Sequence, residues 1–461
     1  MTSLERTRVR SRLSNAPLYD WDELVQEDRV HRLIYTDPAV FDVEMTHVFG
    51  GTWVYLAHES QIPNNNDFIR GTLGPRPLII TRDSEGTIRA LYNRCSHRGT
   101  TLCRWDKGNS RSFQCPYHGW SFLNTGKLRG VPWPEGYAEK LVRDPKYNLA
   151  QVPRVESYRG FIFGTLNISA KSIAEHLGPI KKPIDEWLDR NPGSKVTVCE
   201  ANRFKYKGNW KLAYDNSGDG YHVIYSHHSL LETENRFKDE NTAKGMSYYK
   251  RDPDDQPMYI QYMGNGHHFK DKRPNLEKRP GGLWAIESLH PGMEHVAEKL
   301  RGRFGQRAES ILDLAGSEPV NINVFPNLSL LGNHIQVFQP ISFEETDSIW
   351  YGTKIEDVDG TLGEDVVNDI NALRMRTQEG FPNFGEVDDL TNFEQIQRGL
   401  RCTEDEWVYM NRGLGIPGRT KTLDDRTTMA PATDELFMRE YIREWKRLMK
   451  TQPDIAIQRE P

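Results

Sequence analysis

The chain reads as an α+β protein, with a helical segment at residues 1–47, a small all-β domain at 48–167 and a larger mixed domain at 168–461. Three observations predict this. Between Thr52 and Asn167 the pattern is one of short strands and tight turns. Beyond Asn167, helical segments alternate with strand-like runs. At 461 residues, with 10% aromatic content and 11 Trp, the chain has material for two or three packed domains.

Each element has its own signal. Within residues 38–49, Phe41, Met45 and Val48 recur at helical spacing and predict one amphipathic helix. Residues 78–81, the turn at Asp83-Ser-Glu-Gly86 and residues 88–92 predict a hairpin. A second hairpin is predicted from 120–123, the turn Asn124-Thr-Gly126 and 127–128, and 161–163 closes the β domain. Residues 173–188 read as a helix interrupted by Gly178, Pro179 and Pro183. Val196, Val198, Phe204 and Tyr206 alternate with polar neighbours and predict a strand. Residues 235–300 are polar and irregular, the composition of a disordered insert or of a functional lid and interface. Strands of a larger sheet are expected at Val324, 335–338 and 349–351, and helices at 362–375 and 433–449. In the last, Thr433 is placed to cap, and Phe437, Tyr441, Trp445 and Leu448 line one face.

Composition narrows the function classes. A net charge of −5 gives no support to a nucleic-acid or anionic-membrane partner. No apolar run approaches the roughly 18 residues of a transmembrane helix. The N-terminus is rich in Arg and Ser without an apolar h-region, so it is not read as a secretory signal. Five Cys without disulfide-framework spacing point to a reducing cytoplasm. Of these, Cys103, Cys199 and Cys402 are read as buried or inert thiols.

Two short clusters, Cys95-x-His97 and Cys115-x-x-His118, each present one thiolate and one imidazole. Two Cys and two His in alternation suit a Rieske [2Fe–2S] centre, with Cys on one iron and His on the other. Neutral imidazoles reduce the negative charge of such a cluster and raise its potential, so that it can pass electrons on. A Cys₂His₂ zinc site is the alternative, although its usual order places both Cys first. Gly99, Pro116 and Gly119 suit tight loops whose backbone N–H groups approach bridging sulfides.

A second constellation follows Asn209-Trp-Lys: Asp219, His222, His227 and His228. On a helix Asp219 and His222 share a face, whereas His222 and His227 lie about 140° apart, so joint ligation needs a bend. Two His and one carboxylate with open positions opposite form the facial triad of non-haem Fe(II) oxygenases. Asp219 is better placed to orient an imidazole, which leaves Asp388-Asp389 as the source of the third ligand. The plain alternatives are a polar helix with incidental His and a solvated acidic turn. His228 is the rival to His227, and His334 can line a pocket from its strand. His31, His47, His58, His176, His267, His268, His290 and His295 are taken as structural or surface residues.

With these motifs in this order, the chain resembles the large (α) subunit of Rieske non-haem iron aromatic-ring-hydroxylating oxygenases over most of its length. Residues 53–67 and Glu156-Ser-Tyr-Arg-Gly-Phe161 are most similar to the benzoate and toluate 1,2-dioxygenase branch. Tyr214-Asp215-Asn216 departs from the Glu-Asn of many relatives. The resemblance implies that the small β domain is inserted near the N-terminus of a catalytic domain with a helix-flanked antiparallel sheet, residues 1–47 belonging to that catalytic domain. It implies that Cys95 and Cys115 hold one cluster iron and His97 and His118 the other. It implies a mononuclear Fe(II) on His222, His227 and Asp389. Asp219 would act in catalysis by bridging His222 to a cluster His, His118, across a subunit interface. Further implied are a homotrimer or an α₃β₃ assembly with a small β subunit, and cis-dihydroxylation of an aromatic ring, an aromatic carboxylate by branch, with O₂. Electrons would come from NADH through a separate reductase, with or without a ferredoxin; no GxGxxG fingerprint equips the chain to bind NADH itself. The same metals also serve a monooxygenase or demethylase. A Rieske electron carrier is the reading of a different class, and mononuclear iron at His222 and His227 separates it from the oxygenase.

Overall fold

The computed structural model describes residues 6–8, 19–137, 141–190, 193–228, 258–273, 294–314, 316 and 320–460. Most of the polar 235–300 stretch lies outside these residues. The described residues fall into two compact units, one formed by 39–176 with 447–460 and the strand at 6–8, the other by 19–38 with 177–446.

The first unit is built on small antiparallel sheets. Ile88–Tyr92, Arg76–Arg82, Asp67–Leu73 and Lys107–Asn109 form one, in that order. Leu128–Gly130, Ser121–Leu123 and Ser112–Gln114 form a second; Arg154–Tyr158, Phe161–Thr165 and Val54–His58 form a third. The expected hairpins are therefore present, with Leu78 opposite Tyr92 and Leu128 opposite Phe122. Their inward side chains make one core in which Phe68, Phe113, Trp120 and Phe122 surround Cys95 and Cys115. The helix Pro38–His47 belongs to this unit from Ala39 onward, and only residues 19–38 go with the larger one. Expecting all of 1–47 to travel with the catalytic part missed two ties: the Arg76 guanidinium donates to the Met45 carbonyl at 3.0 Å, and the His47 ring meets the Met449 carbonyl at 3.1 Å.

The second unit centres on a nine-stranded antiparallel sheet. Its order is Ser194–Tyr206, Glu345–Asp357, His334–Ser342, Leu328–Leu331, Val320–Val324, His268–Asp271, Tyr259–Tyr262, Thr428–Pro431, Lys421–Thr422. Two helices cover one face. Trp210–Gly218 lays Tyr214 edge-on against Phe338, and the Asn321 side-chain amide donates to the Ser217 carbonyl at 2.9 Å. Glu364–Gly399 brings Glu386 to within 3.5 Å of the Gln336 amide.

That second helix runs far past its expected end at Met375. Gly380 and Pro382 are local breakers, yet tertiary packing overrides them. Val366, Ile370 and Leu373 are buried against Leu300, Ile311, Leu312 and Ile355, and buried Arg374 donates to the Leu314 carbonyl at 2.6 Å. Asp388 and Asp389 thus sit on a helix, not in an acidic turn. The last helix, Leu436–Lys450, begins three residues after Thr433. Its apolar face is as expected, with Phe437, Tyr441, Trp445 and Leu448 all buried. Among the described residues no helix is long and apolar enough to cross a membrane.

Candidate metal centres

The two Cys/His loops repeat one backbone design. Cys95 N–H bonds the Thr100 carbonyl at 2.9 Å and Gly99 N–H bonds the Cys95 carbonyl at 2.9 Å; Cys115 N–H bonds Trp120 at 2.7 Å and Gly119 N–H bonds Cys115 at 3.0 Å. Closing both loops requires a left-handed residue at Gly99 (φ 78°) and Gly119 (φ 72°), where a side chain would be strained. Asn93 anchors the first loop by accepting from Leu102 N–H and Cys103 N–H and donating to the Cys103 carbonyl. The second loop is the turn of the Ser112–Gln114 and Ser121–Leu123 hairpin.

The loops bring both cysteines into the core and place the His97 and His118 rings 4.7 Å apart between centroids. His97 stacks flat on Trp120, also at 4.7 Å. Burial pushes the Cys95 thiol up and the His97 imidazole down. Nδ1 of His97 and of His118 is buried without a hydrogen-bond partner. Two buried, orphaned imidazole nitrogens in the loops that carry two buried thiols fit a Rieske [2Fe–2S] group. Cys103 lies in the same core, Cys199 is half-buried and Cys402 is exposed.

The second centre forms at the C-terminal end of the helix Trp210–Gly218. The helix stops because Asp219 turns extended (φ −73°, ψ 127°), and a short helix, Val223–Ser226, follows with His222 and His227 at its two ends. This break lies before His222; between the two His runs the short helix itself, and His227 leaves it with non-helical backbone (φ −97°, ψ 28°). Asp219 does not share a helix face with His222; instead the loop brings its Oδ2 to 3.1 Å from His222 Nδ1. Asp389 Oδ1 lies 3.7 Å from His222 Nε2 and 3.5 Å from His227 Nε2, and candidate ligand atoms of the three residues lie within 4.8 Å of one another. Asp388 stands behind, with Oδ2 at 3.6 Å from His227 Nδ1, and His228 is exposed.

Electrostatics support ligation. Burial pushes the Asp389 carboxyl up, while burial pushes the His227 imidazole down toward its neutral, metal-binding form. Burial also raises the Asp219 carboxyl, but its hydrogen bond to His222 leads the contacts that outweigh this and hold it low. Asp389 Oδ1 has no hydrogen-bond partner although two imidazole nitrogens face it, beyond bonding distance and at a spacing that an ion about 2.1 Å from each ligand spans. The residues fit a mononuclear iron site.

Sequence reasoning missed the sheet beneath this centre. His268, taken as structural, lies fully buried against Tyr214 and Phe437, and burial holds its imidazole well below its ordinary value. Lys270 donates to the Asp219 carbonyl at 2.9 Å, and burial lowers its ammonium to about 8. Glu386, one helical turn before Asp389, is pushed by burial up to about 7. His334 is buried edge-on to Trp350 at 5.2 Å. Only the register of the strands brings these residues together, and no local motif marks it.

Known proteins match both domains. Residues 52–153 match the Rieske [2Fe-2S] domain, and residues 194–450 match the ring hydroxylating alpha subunit (catalytic domain). The chain is 34% identical to the 2-halobenzoate 1,2-dioxygenase large subunit of Burkholderia cepacia, over 88% of this chain and 84% of that one. It is 34% identical to toluate 1,2-dioxygenase subunit alpha of Pseudomonas putida, over 82% of each. The structure of naphthalene 1,2-dioxygenase with indole bound in the active site superposes with a TM-score of 0.74 at 26% identity, over 93% of this chain and 94% of that one. The chain belongs to the aromatic-ring-hydroxylating dioxygenases, as a large (α) subunit that joins a Rieske [2Fe–2S] domain to a catalytic domain with a mononuclear iron site.

Proposed function

We propose that this subunit cis-dihydroxylates an aromatic carboxylate in the cytoplasm. Electrons from NADH reach it through a separate reductase, directly or by way of a ferredoxin, and it works as a homotrimer or as α₃β₃ with a small β subunit. The observation that carries the reading is the His222, His227 and Asp389 cluster, which leaves an electron carrier without an explanation for its second centre. The similarity to large subunits named for halobenzoate and toluate supports the acid. We assign Cys95, His97, Cys115 and His118 to the cluster, and residues 48–167 to its domain.

When bound, the two groups supply electron storage and O₂ activation. The chain supplies the rest. His222, His227 and Asp389 would hold the iron, and with three protein ligands the ion would keep positions open to O₂. Asp219 fixes the His222 ring by accepting at Nδ1, which keeps Nε2 turned toward Asp389. In the assembled trimer we assign Asp219 the further task of holding His118 of the partner subunit. Asp388 Oδ2 faces His227 Nδ1 from behind at 3.6 Å.

A single turnover of the reduced protein under ¹⁸O₂ tests the reading, with benzoic acid and substituted aromatic acids beside neutral arenes. Two labelled oxygens in a diol acid are expected. One labelled oxygen, or turnover confined to neutral arenes, overturns it.

A further inference from the structure

One level of the nine-stranded sheet carries a row of side chains across five strands: His268, Asn323, Ser329, Gln336 and Trp350, each the register partner of the next. Register partners in an antiparallel pair point to the same face. Two residues along the strands, still on that face, Lys270 lies opposite Asn321. This is the face under the iron site. Asn321 and Lys270 donate to the carbonyls of Ser217 and Asp219, both at 2.9 Å, and Gln336 reaches Glu386, one turn from Asp389, at 3.5 Å.

At one end of the row Gln336 and Trp350 donate to the Ser348 hydroxyl, at 3.0 and 3.1 Å, whereas Ser329, Asn323 and His268 have no such partner among the described residues. Asn323 and Ser329 are fully buried, yet Asn323 Oδ1 and Nδ2 and Ser329 Oγ have no hydrogen-bond partner. Buried polar atoms are ordinarily paired, because leaving them unpaired forfeits their hydration without return. Neither residue serves the metal or the sheet's backbone ladder. Both side chains point to the sheet face that carries the iron site.

We propose that Asn323 and Ser329 form the subsite that receives the substrate's ring carboxylate. The Asn323 amide N–H and the Ser329 hydroxyl donate to the two carboxylate oxygens, which accept on four lone-pair sites and donate nothing. Lys270 on the same face supplies positive charge. Anchoring the carboxylate on the sheet leaves the ring as the part presented toward Asp389 and the two imidazoles. The inference rests on the aromatic-acid reading and names the residues that would enforce it.

The test uses the iron-loaded oxygenase with its reductase, and benzoic acid, benzamide and toluene as probes. Wild type is expected to prefer them in that order. In Asn323→Leu, the preference for benzoic acid over toluene in kcat/KM should fall on the order of tenfold to a hundredfold, through KM, as for a lost hydrogen bond to a charged group. Ser329→Ala, a smaller change, should lower it severalfold and covers the case in which Asn323→Leu does not fold. Calorimetric titration of each protein with benzoate gives the same ordering without turnover. If wild type oxidises benzoic acid and both measurements leave the variants' discrimination unchanged, the subsite is overturned while the acid reading stands. If wild type oxidises toluene and no acid, both fall together.

Discussion

Adjacent residues on a helix point about 100° apart, and that angle separates the roles of Asp388 and Asp389. Asp389 is buried with its Oδ1 between His222 Nε2 and His227 Nε2, whereas Asp388 is half-buried and meets only the rear nitrogen of His227. Removing a ligand and removing a ligand's support have different signatures. Asp389→Ala should lose its mononuclear iron on dialysis. Asp388→Ala should retain the site with iron affinity weakened about 10- to 100-fold, as for other carboxylates that orient a metal-bound imidazole. Metal analysis of the two variants, counting iron beyond the two of the cluster, checks this; the reverse pattern would exchange the assignments.

The helix Trp210–Gly218 delivers Asp219 and His222 to the site, and its start is held by one residue. The Asn209 side chain caps the helix by accepting from Lys211 N–H at 3.1 Å and donates to the carbonyls of Tyr35 and Phe343, each at 3.1 Å. Its backbone N–H bonds Gln397 on the long helix at 3.0 Å. A single amide therefore sets the helix against the 19–38 segment, a sheet turn and the element that carries Asp389. Asn209→Ala should reduce stability by about 2 kcal/mol, through the lost cap and the Phe343 carbonyl left without that donor, while the Tyr35 carbonyl keeps the Gln397 amide at 3.2 Å. Urea unfolding measures the loss, and a faster release of mononuclear iron than of cluster iron would show that the helix positions the site. Equal release of both would argue that it does not.

At the scale of the whole molecule, stability depends on a proton. Asp215 receives the hydroxyl of Tyr35 at 3.2 Å and that of Tyr441, and burial pushes its carboxyl up to about 7. An unfolded Asp titrates near 3.9, so between about pH 4 and pH 7 the folded chain holds a proton that the unfolded chain has lost. A raised acid pKa contributes stability that is complete below about pH 4 and declines as pH rises to about 7, by on the order of 1 kcal/mol per unit. Asp215→Asn, which keeps an acceptor for the tyrosine hydroxyls, should flatten that decline. Urea midpoints of wild type and variant at several pH values from 5 to 8 check it, and parallel curves would remove Asp215 as the source.

Much of this protein could be read along the chain. Cys95-x-His97 and Cys115-x-x-His118 announce their chemistry because each loop takes its ligands from a few consecutive residues, and Gly99 and Gly119 mark where it must turn. The hairpins at 78–92 and 120–128 were legible for the same local reason, as was the need for an irregular turn if His222 and His227 are to converge. The helix through Gly380 and Pro382 was not. Its stability comes from Val366, Ile370 and Leu373 packing against residues that are remote in sequence, and that burial outweighs the local preference for a break. The row from His268 to Trp350 was beyond reach for a related reason. Each member lies on a different strand, and which residues become neighbours depends on register, which the folded sheet sets as a whole. Local spacing thus announced the metals, and long-range strand pairing settled what lies beside them.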